Sequence, residues 1–339
     1  MISGGTLRKD KLTWKDRWKI AGKVFVSFWC IVRPAKRPIF IFSTRRSGSP
    51  LLMRMCHSQP GVDYIDEPLN LWRLHPHFQR LPHPRSGYFI SLSNAGEEKL
   101  YAYLKDLLSG KVRFRHRGNL LDPGRTFLVS RFVVKNINAT PLIDWFAEKF
   151  DSDIVYLLRH PGAVAESLVR RGWKSAAWAY LEDEVYCANL TAEQRELARK
   201  ALKKGSLFQQ CVLEWCLDNL YPLSVWSERP WLTLSYEELV MRPLEVSWML
   251  CERLRLPEPE RMRKALQLPS RTTSVDSKKV VRAEGPGALV GRWLEQVDQR
   301  EIEGMQELLN AFGIKIYRAD SPYPAEVLCH FGPLAEGTL

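Results

Sequence analysis

The first regular pattern along the chain is helical. Trp14, Trp18, Ala21, Phe25 and Phe28 recur at helical spacing while Lys15, Lys19 and Lys23 fall mostly on other faces, which predicts a basic amphipathic helix. From Pro38 the period changes. Ile39 to Ser43 is a short, almost wholly apolar run, and similar runs occur at Phe127 to Val134, Ile154 to Leu158 and Trp231 to Leu234; such runs mark strands buried on both faces. Helical spacing separates them, at about Thr140 to Phe150, Gly162 to Arg171 and Pro243 to Arg255. Another helix is expected from Thr191 to Lys204, because Thr191 and Gln194 have capping-box spacing and Gly205 supplies a stop. A last helix follows Gln299. Buried strands alternating with helices imply an α/β domain with a central parallel sheet and helices on both faces. The expected organisation is a basic amphipathic segment over residues 1–37, one domain over 38–318, and a tail over 319–339. Arg73 to Arg125, rich in Pro, Gly, His and Arg, and Trp173 to Gly205 read as insertions of the kind that form binding lids.

Composition narrows the classes. With 339 residues, 45% hydrophobic and 26% charged, the chain is neither disordered nor a disulfide-dependent miniprotein. Fifty Lys and Arg against 38 Asp and Glu give a formal net charge of +12, which favours an anionic partner: nucleic acid, an anionic membrane or a polyanionic small molecule. Seven scattered cysteines without a Cys-x-x-Cys pair predict free thiols in a reducing compartment rather than zinc or redox chemistry. The longest apolar run, Val24 to Val32, is bracketed by Lys23 and Arg33 and falls well short of the roughly 20 residues of a spanning helix. With no cleavage-site pattern after it, a cytoplasmic protein is expected, with possible peripheral contact to a membrane through the N-terminal helix.

Two segments carry chemistry. In STRRSGSPLL, Ser43 to Leu52, a buried strand ends, Gly48 permits a tight turn, Ser49 can cap the next helix and Pro50 suits its first turn. A strand, loop and helix in this order present unpaired amide hydrogens and a positive dipole end to an anion, and the domain is P-loop-like in that sense. Arg46 adds a charge and Ser47 and Ser49 add hydroxyls. The nucleoside-triphosphate signature G-x-x-x-x-G-K-[ST] is absent. In IVYLLRHPGAVAESLVRRG, Ile154 to Gly172, Arg159 follows a strand, Pro161 opens a helix and Ser167 lies two turns in, so an arginine and a hydroxyl converge on a second anion site.

Together these segments resemble the sulfotransferase family, whose donor is 3′-phosphoadenosine 5′-phosphosulfate (PAPS). The resemblance extends to SYEEL at Ser235 to Leu239 and GRW at Gly291 to Trp293, covering roughly Pro38 to Tyr317. It implies that Arg45, Arg46, Ser47, Gly48, Ser49 and Pro50 form the 5′-phosphosulfate loop and that Arg159 and Ser167 grip the 3′-phosphate. Thr273, Ser274 and Lys278, before GRW, are the candidate adenine contacts. Arg46, where the phenol-directed enzymes place lysine, and DEPLNLW at Asp66 to Trp72 look more like the carbohydrate-directed and bacterial trehalose-type enzymes. The phenol-directed enzymes take a base histidine from a Lys-x-His segment; VVKNI here has Lys135 but Ile137 at the histidine position.

The resemblance implies in-line attack of an acceptor hydroxyl on sulfur, with no metal required. Arg46 is assigned to charge on the bridging oxygen, Glu67 to the general base and Lys135 to neutralising the phosphosulfate. His57 is the rival base; His75, His77 and His83 are expected to be solvated or packed in loops. The expected acceptor is a carbohydrate, glycolipid or related metabolite, with no nucleic acid partner. Alternatives are a nucleotide-dependent kinase and a non-catalytic basic module binding RNA or membrane.

Overall fold

The computed structural model describes residues 31–72, 77–112, 126–268 and 275–328, together with Trp14, Trp18 and Ala21. Seven strands are present among these residues: β1 (Ile31–Val32), β2 (Ile39–Phe42), β3 (Val62–Asp66), β4 (Leu128–Val129), β5 (Arg131–Asn136), β6 (Asp153–Leu158) and β7 (Leu232–Ser235). Five form one parallel sheet in the order β3-β5-β2-β6-β7. The remaining two, β1 and β4, pair in parallel as a small separate sheet.

Alternation of side chains across the sheet divides the core in two. Phe40, Phe42, Phe132, Val134, Tyr156 and Leu158 pack on one side with helices Asn94–Leu108, Ile143–Lys149, Pro161–Val169 and Leu207–Val225. On the other, Ile39, Ile41, Val133, Val155 and Leu157 meet helices Ser49–His57, Pro243–Arg253 and Pro259–Leu266. With both faces covered, β2 is apolar throughout and β6 is apolar after Asp153, as their sequences indicated, while β5 carries Arg131 at its start and Lys135 and Asn136 at its end. The chain first builds the β3 and β5 side of β2, then crosses to β6 and β7, so the order reverses at β2. In open α/β sheets that reversal leaves a crevice at the carboxyl ends of the strands.

Several sequence boundaries shift for physical reasons. The run Phe127 to Val134 is two strands: the amides of Ser130 and Arg131 both donate to the Gly61 carbonyl (2.9 and 3.2 Å), which ends β4 and starts β5 in the other sheet. The segment read as a first lid contains helix Asn94–Leu108, whose Leu100, Tyr103, Leu104 and Leu107 enter the core. The residues after 318 are tied down as far as they are described: Leu328 is fully buried and its amide donates to Glu238 Oε1 at 2.8 Å. Described cysteines 56, 187, 211, 216 and 251 are free thiols, and burial pushes those of Cys56 and Cys211 up to about 12. No helix among the described residues is long and apolar enough to cross a membrane.

Helix Leu207–Val225 has no simple apolar stripe because it buries Glu214, Asp218 and Asn219 as well as its hydrophobic residues. Asp218 accepts hydrogen bonds from the hydroxyls of Tyr180 (2.6 Å) and Thr140 (3.4 Å). Burial, reinforced by the nearby Glu214 charge, pushes its carboxyl from 3.8 up to about 7. Between those two values the folded protein holds a proton that the unfolded chain has released, so this group makes stability fall as pH rises through the window. Asp218→Asn is expected to flatten that slope in urea midpoints measured from about pH 4 to 7. An unchanged slope would place the titration in another group.

Candidate active site

The loop after β2 is built around two residues in left-handed conformation. Arg46 has φ 67° and Gly48 has φ 86°. A Cβ on Gly48 would lie 2.3 Å from the Tyr236 ring, so the loop closes on that ring only because glycine stands there. Gly48, not Ser49, is the residue that caps helix Ser49–His57; Ser49 is its buried first residue, and Pro50 follows in the first turn, where no backbone donor is needed. Ser43 and Ser47 are fully buried, and the hydroxyls of Thr44 and Ser47 bond to each other.

The second predicted segment meets the first directly. Arg46 donates through Nε to Ser167 Oγ at 2.9 Å, and Arg159 Nη1 donates to the Arg46 carbonyl at 3.0 Å. The Arg159 guanidinium lies 4.5 Å from the centroid of the Tyr236 ring, the same ring that covers Gly48. Arg46, Arg159 and Ser167 are therefore one unit, in which Ser167 meets Arg46. Arg46 and Arg171 both lie over Trp173, 6.0 and 5.8 Å from its ring.

Charge in this unit is unbalanced. Burial first, and then Arg171, Arg159 and Arg170, push the Arg46 guanidinium down from 12.5 to about 10, with Glu166 the opposing carboxylate. The shift corresponds to an environment less favourable to the cation by roughly 3 kcal/mol, still leaving it charged at neutral pH. Arg159 Nε is buried with no hydrogen-bond partner among the described residues. Converging guanidiniums, a buried orphan donor and a helix N-terminus suit a phosphate or sulfate group.

The SYEEL and GRW segments brace this unit. Ser235 and Glu238 form a reciprocal capping box that starts helix Tyr236–Met241 and aims Tyr236 at Gly48. Glu237 accepts from the His160 amide (3.1 Å) and the Tyr317 hydroxyl (3.0 Å). His160 accepts at Nδ1 from the Gly162 amide (3.1 Å) and donates from Nε2 to the Arg318 carbonyl (3.0 Å). Burial pushes this imidazole down to about 3, so it is neutral at physiological pH. It stacks on Trp293 at 4.4 Å, and a Cβ on Gly162 would come within 2.4 Å of that indole. His160 and Glu237 were not anticipated, because nothing in RHP or YEEL announces their mutual contact.

Across the sheet edge, Lys135 of β5 stands in register with Asp66 of β3 and Ile41 of β2. Its buried Nζ lies 2.7 Å from Asp66 Oδ1 and 2.8 Å from Glu67 Oε1. Glu67 is a non-glycine residue at φ 56°, held by its amide's bond to the Lys135 carbonyl (3.0 Å) and by Asn70 Nδ2 donating to its Oε2 (2.8 Å). Among the described residues, non-glycine positive φ occurs at Arg46, Glu67 and Arg255; two of these three are candidate catalytic residues, and strain of this kind clusters at functional sites.

Other candidates are placed differently. Arg45 forms a bidentate pair with Glu214 (2.9 and 2.6 Å) and donates to the Lys174 carbonyl at 3.1 Å; its fork is committed to helix Leu207–Val225, so it fixes the loop rather than offering a free cation to a donor. His57 sits at the far end of the helix that Ser49 begins, about 12 Å along it, with Nδ1 donating to the Val62 carbonyl at 2.9 Å and its ring against Tyr64. That contact makes it a packing residue and removes it as rival base. Lys278 lies on helix Val275–Glu284, and no described contact joins it to the loop. Thr273, Ser274 and His75 lie outside the described residues.

Sequence reasoning also passed over three buried polar side chains at this edge. Ser43 Oγ, both amide atoms of Asn136 and Asn138 Nδ2 have no partner among the described residues. Phe42 and Asn136 are in register, and the Ser43 amide donates to the Asn136 carbonyl at 3.2 Å, so Ser43 and Asn136 end adjacent strands. Orphaned buried groups are rare and costly; the available signal was the abrupt change from apolar to polar residues in VVKNIN.

Inorganic sulfate is expected to raise the thermal midpoint more than chloride at equal ionic strength, and Arg46→Ala or Arg159→Ala to remove the difference. An undiminished sulfate effect in both variants would make it a general salt effect.

Comparison with known proteins agrees with this geometry. The family model described as "Sulfotransferase family" matches residues 38–260. No curated protein matches the sequence. Similar solved structures include a sulfotransferase domain from the curacin biosynthetic pathway, 19% identical, covering 83% of this chain and 99% of that one, with a TM-score of 0.44. Mouse sulfotransferase SULT7A1 complexed with PAP is 14% identical, covering 85% and 87% at 0.42. Sulfotransferase STF9 from Mycobacterium avium is 12% identical, covering 83% and 81%, also at 0.42. These scores are too low to add weight, and membership rests on the family model, which spans well over half of the chain. The strand-loop-helix unit, its arginine partner and the matched residues coincide, and the chain belongs to the sulfotransferase family.

Proposed function

We propose that the protein transfers a sulfuryl group from PAPS to a hydroxyl of a carbohydrate, glycolipid or related metabolite, as the carbohydrate-directed and trehalose-type members of the family do. The observation that carries this reading is the union of Arg46, Arg159 and Ser167 at one strand edge, with strained Glu67 and buried Lys135 at the same edge. PAPS has a phosphate at each end of its ribose, and two anion sites joined through one arginine suit such a donor. A cytoplasmic location with peripheral membrane contact through the N-terminal segment belongs to the same proposal.

In this scheme the 5′-phosphosulfate lies against the Arg46 to Ser49 loop and the first amide hydrogens of the following helix. Arg159 and Ser167 take the 3′-phosphate. Ser167 Oγ accepts from Arg46, which leaves its own hydrogen for a phosphate oxygen. The acceptor oxygen attacks sulfur in line; a new S–O bond forms as the bond from sulfur to the bridging phosphate oxygen breaks, and adenosine 3′,5′-bisphosphate departs. The acceptor proton passes to the Glu67 carboxylate, which Lys135 and Asn70 hold in place. Arg46 meets the charge that develops on the bridging oxygen, a task for a preorganised cation. Ser43 and Asn136 offer unpaired polar groups beside the reacting atoms, the amide being able to accept from the acceptor hydroxyl while donating to a sulfuryl oxygen.

The test is transfer of radioactive sulfur from labelled PAPS to a panel of saccharides, glycolipids and phenols. Labelling of a saccharide or glycolipid is expected; labelling of phenols alone would contradict the acceptor class, and no transfer to any hydroxyl would contradict the reaction. With the labelled acceptor, Arg46→Ala is expected to lower kcat on the order of a hundredfold or more. Glu67→Gln is expected to retain bisphosphate binding while losing transfer, and a fully active Glu67→Gln enzyme would remove the carboxylate from proton transfer.

A further inference from the structure

Apolar side chains are exposed together on the small two-stranded sheet. Ile31 and Leu128 are register partners in β1 and β4 and are 58% and 53% exposed; Phe127, next to Leu128, is 60% exposed. Their backbones are pinned: the Ile31 amide donates to the Phe127 carbonyl at 2.8 Å and the Arg33 amide to the Val129 carbonyl at 2.9 Å. Val32 points the other way, against Gly110, where a Cβ would approach it to 2.7 Å. The exposed side chains are thus held outward by a fixed backbone. Arg33 and Lys36 continue β1 and are exposed, as is Lys111 next to Gly110.

Charge concentrates in the two stretches of sequence that lead into the strands of this sheet. Residues 1–37 contain ten Lys or Arg and two Asp, and residues 113–125 contain four Arg and one Asp, so these two segments hold eleven of the net +12. All the rest of the chain is left with one. β1 lies within the first segment and β4 follows shortly after the second, so the two basic stretches of sequence lead into paired strands. Trp14 and Trp18, in the first segment, are 71% and 61% exposed and meet edge to face at 5.4 Å.

We propose that the β1–β4 sheet and the N-terminal aromatic residues form one composite surface that docks on an anionic phospholipid membrane. The aliphatic and aromatic side chains enter the acyl boundary while the flanking Lys and Arg meet headgroup phosphates. Exposed Ile31 and Leu128 decide between polyanions: they have a place in lipid, whereas a single-stranded nucleic acid is held by aromatic stacking and backbone charge. This inference extends the membrane contact proposed above and is independent of sulfuryl transfer.

The test is co-sedimentation of the full chain with vesicles of phosphatidylcholine alone and of phosphatidylcholine with phosphatidylserine. Binding to the anionic vesicles only, weakening as salt rises, is expected. Ile31→Ser with Leu128→Ser, and separately Arg33→Glu with Lys36→Glu, should each weaken it at least tenfold while leaving thermal stabilisation by adenosine 3′,5′-bisphosphate unchanged, which controls for folding. Undiminished binding by both variants would overturn the composite surface. No binding of the full chain to anionic vesicles, or tight binding to single-stranded RNA in its place, would overturn the membrane assignment. Loss of the bisphosphate response in the unmodified protein would instead count against sulfuryl transfer alone.

Discussion

One guanidinium joins the two halves of the site. Arg46 reaches from the loop after β2 to Ser167 on the helix after β6, while its own carbonyl receives Arg159 from the end of β6. This geometry needs the left-handed conformation of Arg46, the close approach of Tyr236 to Gly48, and the capping box that starts the Tyr236 helix. They lie at the ends of β2 and β7, the two strands that flank β6, so the parallel sheet is what brings them together. The GRW and C-terminal segments act at one remove, through Trp293 and Tyr317 around the neutral His160.

Electrostatics follows from the same arrangement. Burial, with the charges of Arg171, Arg159 and Arg170 added to it, makes the Arg46 cation less favourable by a few kcal/mol, a sizeable share of the 5 to 15 kcal/mol by which domains are typically stable. Anion binding offsets it. On the other half of the edge Lys135 is held between Asp66 and Glu67. Arg45 is neutralised by Glu214 and stiffens the loop from behind.

The fold class and the two strand-loop-helix segments were legible in the sequence because apolar strands flanked by Gly, Pro and Ser follow local rules. Strand β3 and helix Leu207–Val225 were not. The first, VDYID, mixes charge into a strand whose Asp66 pairs with Lys135 on the next one; the second buries Glu214, Asp218 and Asn219, which erases its periodicity. Arg45 and Arg46 are adjacent and identical in chemistry, yet they turn to different partners, and only the packing of Glu214 and Ser167 distinguishes them. The pairing of Glu67 with Lys135 depended likewise on a register between strands that lie about seventy residues apart.

The central claim is that two phosphate sites are coupled through Arg46. It is tested most directly by calorimetric titration with adenosine 3′,5′-bisphosphate, AMP, and ATP with magnesium in parallel. The account predicts tight binding of the bisphosphate, weaker binding of AMP, and loss of that difference in Arg159→Ala with Ser167→Ala. Equal affinity for AMP and the bisphosphate, or a preference for ATP with magnesium, would contradict it.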